Sequence, residues 1–193
     1  MRLNSPLVAS FIYKDEEYAI DLAFDNVLDV FDVAEDETLR EYEKAEICLA
    51  LLLDKEVLGL EAIALWNYVY ENFIEFKGKQ IIEVDLNGNP MPVQEDDDEE
   101  QNYSDLEQDA EYIYASFKQA YDIDLFEEQG KLHWHTFKAL LHGLPSDTIM
   151  QRIIGIRAWK PSKGEPAEYK KEMEKLQKYY ALEGVDDEWQ TDE

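Results

Sequence analysis

The chain has 193 residues, and 18 Lys and Arg against 45 Asp and Glu give a formal net charge of −27. Hydrophobic residues make up 45% of it, enough for a sizeable core at this length, and one domain or two small ones would fit. Such an acidic chain repels phosphate backbones and anionic lipid, which argues against nucleic-acid and membrane-surface partners.

The one cysteine, Cys48, excludes an internal disulfide and a Cys-rich metal knot. It lies in the apolar run Ile47–Leu53, where a buried, inert thiol is expected. That run is too short to span a bilayer, and Met1–Pro6 leads into no secretory apolar stretch, so the expectation is a soluble intracellular protein.

In chain order, Phe11-Ile12-Tyr13 and Tyr18-Ala19-Ile20 flank a charged turn and predict a β-hairpin. A short helix is expected from Asp25, with Leu28, Phe31 and Val27 inward. A longer one spans Glu37 to Asp54, where Leu39, Tyr42, Glu46, Leu49 and Leu53 recur at three- and four-residue steps. Another runs from Gly59 to Phe76, with Ala62, Leu65, Trp66, Val69, Phe73 and Phe76 on one stripe.

The pattern then breaks. Ile81–Leu86 followed by Asn87-Gly88 reads as a strand entering a tight turn. Pro90, Pro92 and the run Glu95–Glu100 follow, six adjacent carboxylates that bury nothing and predict a mobile, solvated linker. Helical order resumes at Asp105, with Leu106, Ala110, Ile113, Phe117 and Tyr121 on one face. A helix over Leu132–Leu141 is closed by Gly143 and Pro145. Ser146 and Asp147 are expected to cap the next, with Ile149, Ile153 and Ile156 or Arg157 inward. A last, heavily charged helix spans Pro166 to Leu182 and packs through Met173, Leu176 and Tyr180. The fold class expected is therefore mainly α, a helical bundle with a small N-terminal β-hairpin and a short extra strand or turn before an acidic linker. Residues 1–82 form a hairpin with helices, 83–104 the linker, 105–182 a C-terminal helical part packing with the first, and 183–193 an acidic tail.

Chemistry-bearing motifs are absent from the sequence. There is no phosphate-cradling glycine loop, no nucleophile elbow and no HExxH. His133 and His135 point apart on a helix, and His135 and His142 lie about 10.5 Å apart along one, too far for a single zinc ion. The acidic run 95–100 lacks the spaced ligands and turn glycine of a calcium loop. With 45 acids, carboxylate pairs arise by chance and carry no catalytic signal. The expectation is a binding protein with no catalysis, cofactor or metal. An acidic DNA-mimic inhibitor of a host DNA-binding enzyme is the alternative reading.

The second half carries an ordered series of words: Glu107 to Phe117, Ala120 to Leu125, Leu132-His133-Trp134, Phe137 to Leu141, Gly143-Leu144-Pro145 and Ile154-Gly155-Ile156-Arg157. The series resembles the tail-assembly chaperones of long-tailed bacteriophages of Gram-positive hosts, a family encoded between the major tail protein and the tape measure protein. Tyr18 to Asp21 and Glu43-Lys44 resemble that family more loosely, and His135 stands where a second aromatic is expected beside Trp134. The resemblance implies a chaperone that binds the tape measure protein, with the major tail protein and self-association as further contacts. It would act in the cytoplasm of the infected host and be absent from the virion. Helices around 105–157 are then the expected client surface, with Trp134, Phe137, Leu141 and Leu144 as anchors.

Overall fold

The computed structural model describes residues 4–75, 103–162 and 164–183. Among these, the chain is mainly helical, with seven α-helices and one small antiparallel hairpin. They cluster into two compact units: residues 4–75 with 126–140, and residues 103–125 with 141–162 and 164–183. The strand expected at 81–86, most of the acidic linker and the tail after Glu183 lie outside the described residues.

The first unit opens with strands β1 (Ser10–Tyr13) and β2 (Glu16–Ala19), paired with Ser10 opposite Ala19 and Tyr13 opposite Glu16. Lys14 and Asp15 turn the chain with φ of 49° and 64°, the left-handed geometry that suits the twist of a two-residue hairpin. Alternation sends Phe11 and Tyr18 to one face, where their rings stack 5.5 Å apart, and leaves Ile12 exposed on the other.

Helix α1 (Phe24–Glu35) buries Phe24, Val27 and Val30, whereas Leu28 and Phe31 are only half-buried. Helix α2 (Glu41–Leu52) starts later than its apolar pattern suggests. The Asp36 carboxylate accepts the Thr38 N–H and hydroxyl, and this side-chain turn competes with helix. Glu43 then accepts the Arg40 N–H at 2.9 Å and opens the helix. Ala45, Cys48, Leu49 and Leu52 form its buried stripe, while Tyr42 stays exposed.

Helix α3 (Gly59–Val69) continues into one π-helical turn, Tyr70–Ile74. α3 packs against α2, and Gly59 donates to Glu46 at 2.7 Å across the connection.

A distant segment completes this unit. Phe24 donates to Leu132 O at 2.9 Å and Trp134 donates to Leu22 O at 2.7 Å, an antiparallel bridge joining residues 22–24 to 132–134. Gly130, at φ 68°, donates to Asp25 at 2.9 Å. Helix α5 (Trp134–His142) follows, its start set by His133, whose Nδ1 accepts the His135 N–H at 3.1 Å.

In the second unit, α4 (Ala110–Tyr121) packs on α6 (Ile149–Arg157), and α6 packs on α7 (Ala167–Tyr179). Asp105 accepts the Glu107 and Gln108 N–H groups, so the expected helix start at Asp105 becomes a turn and α4 begins at Ala110. Buried Thr148, not Ser146 or Asp147, precedes α6, and its hydroxyl donates to Pro145 O at 2.7 Å. The Met150 N–H donates to buried Ser116 Oγ at 3.1 Å, tying α6 to α4.

The unit is locked by a buried ion pair. Arg157 grips Asp109 through both terminal nitrogens, at 2.6 and 2.8 Å, and Asp109 has no exposed surface. The same guanidinium donates to Tyr103 O at 2.9 Å and to Tyr180 O at 2.6 Å. Helix α7 buries no residue fully; Met173, Leu176 and Tyr180 are half-buried, as its pattern predicts.

Candidate protein-binding surface

Of the four expected anchors, three are interior side chains. Trp134 and Phe137 are each 2% exposed and Leu144 is 6% exposed, while Leu141 is half-buried. The Trp134 ring stacks on Phe137 at 5.6 Å, and Phe137 in turn stacks on Phe24 at 5.0 Å. The indole N–H donates to Ile74 O at 3.1 Å, joined by Lys138 Nζ at 3.3 Å, so α5 caps the carbonyl end of the π-helical turn. Lys138 also lies over the Trp134 ring, 5.1 Å from its centre, and burial pushes its ammonium pKa down. Trp134, Phe137 and Lys138 belong to the first unit and hold it together, and the two aromatic rings are almost wholly covered.

The neighbouring histidines form a structural pair. His133 Nδ1 is an acceptor, so Nε2 carries the proton and donates to Val8 O at 3.2 Å. The His135 ring lies 5.2 Å from it, and its buried Nδ1 has no hydrogen-bond partner among the described residues. Burial, followed by the charges of Lys138 and His133, pushes the His135 pKa down to about 4. Among the described residues no group of His, Cys, Asp or Glu is placed to hold a metal ion. No helix of the described residues is long and apolar enough to cross a membrane. An open pocket of about 370 Å³ is lined by Ala19–Asp21 and Leu51–Asp54, its surface divided between polar and apolar groups. Its Asp21 carboxylate is already engaged by the Ala23 N–H and Asn26.

The exposed feature that sequence reading missed is the outer face of α3. Its sequence, GLEAIALWNYV, holds one charged residue in eleven, Glu61, in a chain that is 33% charged. Ala62, Leu65 and Val69 face the core. At 100° per residue the opposite face carries exposed Leu60, Ala64 and Asn67, half-buried Ile63 and, as the π-helical turn begins, exposed Glu71. Leu60 is 86% exposed, and Leu58 just before the helix is exposed too. Only a count of charges per face, instead of a search for the buried stripe, would have found it.

The surroundings of this face are acidic. Asp54 and Glu56 are exposed before its N-terminal end, and Glu71 is exposed at its C-terminal end. Glu61 on its flank sits 3.9 Å from Lys14 of the hairpin turn. Lys55, also near the N-terminal end, is held at 2.8 Å by Glu16, whose carboxylate pKa is lowered by that hydrogen bond. Tyr70 lies 5.7 Å from Trp66, an aromatic pair on the flank of the helix.

A family model described as bacteriophage Gp15 protein matches residues 3–182. No curated protein and no solved structure matches the chain.

Proposed function

The chain belongs to the bacteriophage Gp15 protein family, and from that premise we propose that it is a tail-assembly chaperone. It binds the tape measure protein, and secondarily the major tail protein, in the cytoplasm of the infected host, and leaves before the virion is complete. It carries out no chemistry of its own and needs no cofactor. The observation that carries this reading is the family match over residues 3–182, on a mainly helical chain of net charge −27. A tape measure is a long helical chain with apolar stretches that aggregate when bare, and helix-against-helix recognition covers such stretches. The shared negative charge keeps many copies on one client soluble and apart.

The test is co-expression with a fragment of the tape measure protein encoded beside it. The fragment should move from the pellet to the soluble fraction and co-purify with this chain, and purified virions should lack the chain. A fragment equally insoluble with and without it removes the reading.

A further inference from the structure

We propose that α7 is a displaceable strap, and that an amphipathic helix of the client docks in its place on the surface of α6 and the start of α4. The inference rests on the chaperone reading for its helical client, and adds the place and the way it opens.

α7 is held lightly and from one side. α4 buries Ile113, Ser116 and Phe117 and α6 buries Met150 and Ile153, whereas α7 buries no residue fully. Met173, Leu176 and Gln177 are half-buried on its inner face, which packs on α6. Tyr169 meets Trp159 edge-on at 6.2 Å near one end, and Tyr180 meets Tyr112 of α4 edge-on at 6.1 Å at the other. Lys171, Lys175 and Lys178 are exposed along the outer face.

The polar fastenings are few, and releasing them leaves the rest of the unit whole. Gln177 donates to Arg157 O at 3.3 Å and to Trp159 O at 2.8 Å, carbonyls at the end of α6. Arg157 Nε donates to Tyr180 O at 2.6 Å, and the Gln108 amide exchanges two hydrogen bonds, of 3.2 and 2.7 Å, with the Glu183 backbone. When α7 lifts, Arg157 loses Tyr180 O and keeps Asp109 and Tyr103 O. The Met150 bond to Ser116, between α6 and α4, is untouched. A segment with no fully buried side chain, fastened by a few hydrogen bonds, opens at lower cost than the unit as a whole.

α7 itself shows what the covered surface accepts. Met173, Leu176 and Tyr180 recur at three- and four-residue steps between charged neighbours. A client helix with that spacing and larger aliphatic groups buries more apolar carbon there than α7 does, and the gain scales with the area covered. Until such a helix arrives, the strap keeps the surface from water.

The test uses the full-length chain. Native-state hydrogen exchange should show the α7 amides opening ahead of those of α4 and α6. Gln177→Ala removes two fastenings and should speed α7 exchange by about fivefold or more, with α4 and α6 unchanged. A fluorescent peptide of residues 166–182, titrated into the same two proteins, should bind Gln177→Ala more tightly by the same factor, because both readouts report the open fraction. The peptide carrying Leu176→Glu should not bind. Lys175→Gln in the chain, on the outer face, should change neither readout.

Exchange of α7 in step with α4 and α6, a Gln177→Ala chain that binds the peptide no better, or equal binding of the Leu176→Glu peptide overturns the proposal. So does a concentration-dependent dimer that Gln177→Ala strengthens, since α7 of a second copy would then be the occupant. A tape-measure fragment that the chain keeps soluble and that excess peptide fails to displace overturns this docking place while leaving the chaperone reading intact. If exchange and peptide binding behave as expected and the fragment stays insoluble, the strap and its site stand and the chaperone reading falls.

Discussion

Replacing Arg157 by Ala tests how the second unit is held together. The substitution strips Asp109 of its bidentate partner at 2.6 and 2.8 Å and leaves a buried carboxylate whose remaining hydrogen bond among the described residues comes from the Asp105 N–H. It also removes the donors to Tyr103 O and Tyr180 O, which tie both ends of the unit to α6. Breaking a buried ion pair from one side costs about 3–5 kcal/mol. At about 2–4 °C per kcal/mol for a chain of this length, the melting temperature should fall by about 6–20 °C. Differential scanning calorimetry reads that fall, and native-state hydrogen exchange should place the lost protection in residues 103–125 and 149–183. The double variant Asp109→Leu/Arg157→Met should be more stable than Arg157→Ala, because no unpaired charge remains buried. A drop below about 2 °C for Arg157→Ala, or a double variant no more stable than the single one, refutes the argument that this pair organises the unit.

Trp134→Phe keeps the ring stack but deletes the indole donor to Ile74 O, and should cost about 1–2 kcal/mol, with faster hydrogen exchange in the π-helical turn Tyr70–Ile74. His135, with its pKa near 4 against 6.5 for the free side chain, stays neutral in the fold while the unfolded chain takes up a proton. Its contribution is therefore complete above pH 6.5 and declines as the pH falls toward 4, by about 1–2 kcal/mol once solvent screening of the half-buried ring is allowed for. Melting curves of His135→Gln should lose less stability than the unaltered protein across that interval, and parallel curves would contradict the assignment. Cys48, fully buried with its thiol pushed up to about 11 by desolvation, should resist thiol reagents in the native protein and react once denaturant is added. Rapid native labelling would show that the α2 stripe opens readily.

The sequence alone was sufficient for the mainly helical class, the N-terminal hairpin and the approximate place of each α-helix among the described residues, because period-two and period-3.6 patterns are local properties of the chain. Membership in a bacteriophage protein family, too, was legible in its word order. Helix starts were less so: Asp36 and Asp105 build side-chain turns that delay α2 and α4, a contest between side chain and backbone that apolar periodicity does not register. Tertiary structure decided which side of each stripe mattered. Trp134 and Phe137, expected as client anchors from the family resemblance, are drawn into the first core by the pairing of residues 22–24 with 132–134. Nothing local announces a hydrogen-bonded bridge between positions so far apart along the chain. The outer face of α3 became visible for the same reason, since an apolar side chain counts as surface only after its neighbours have chosen the opposite side of the helix.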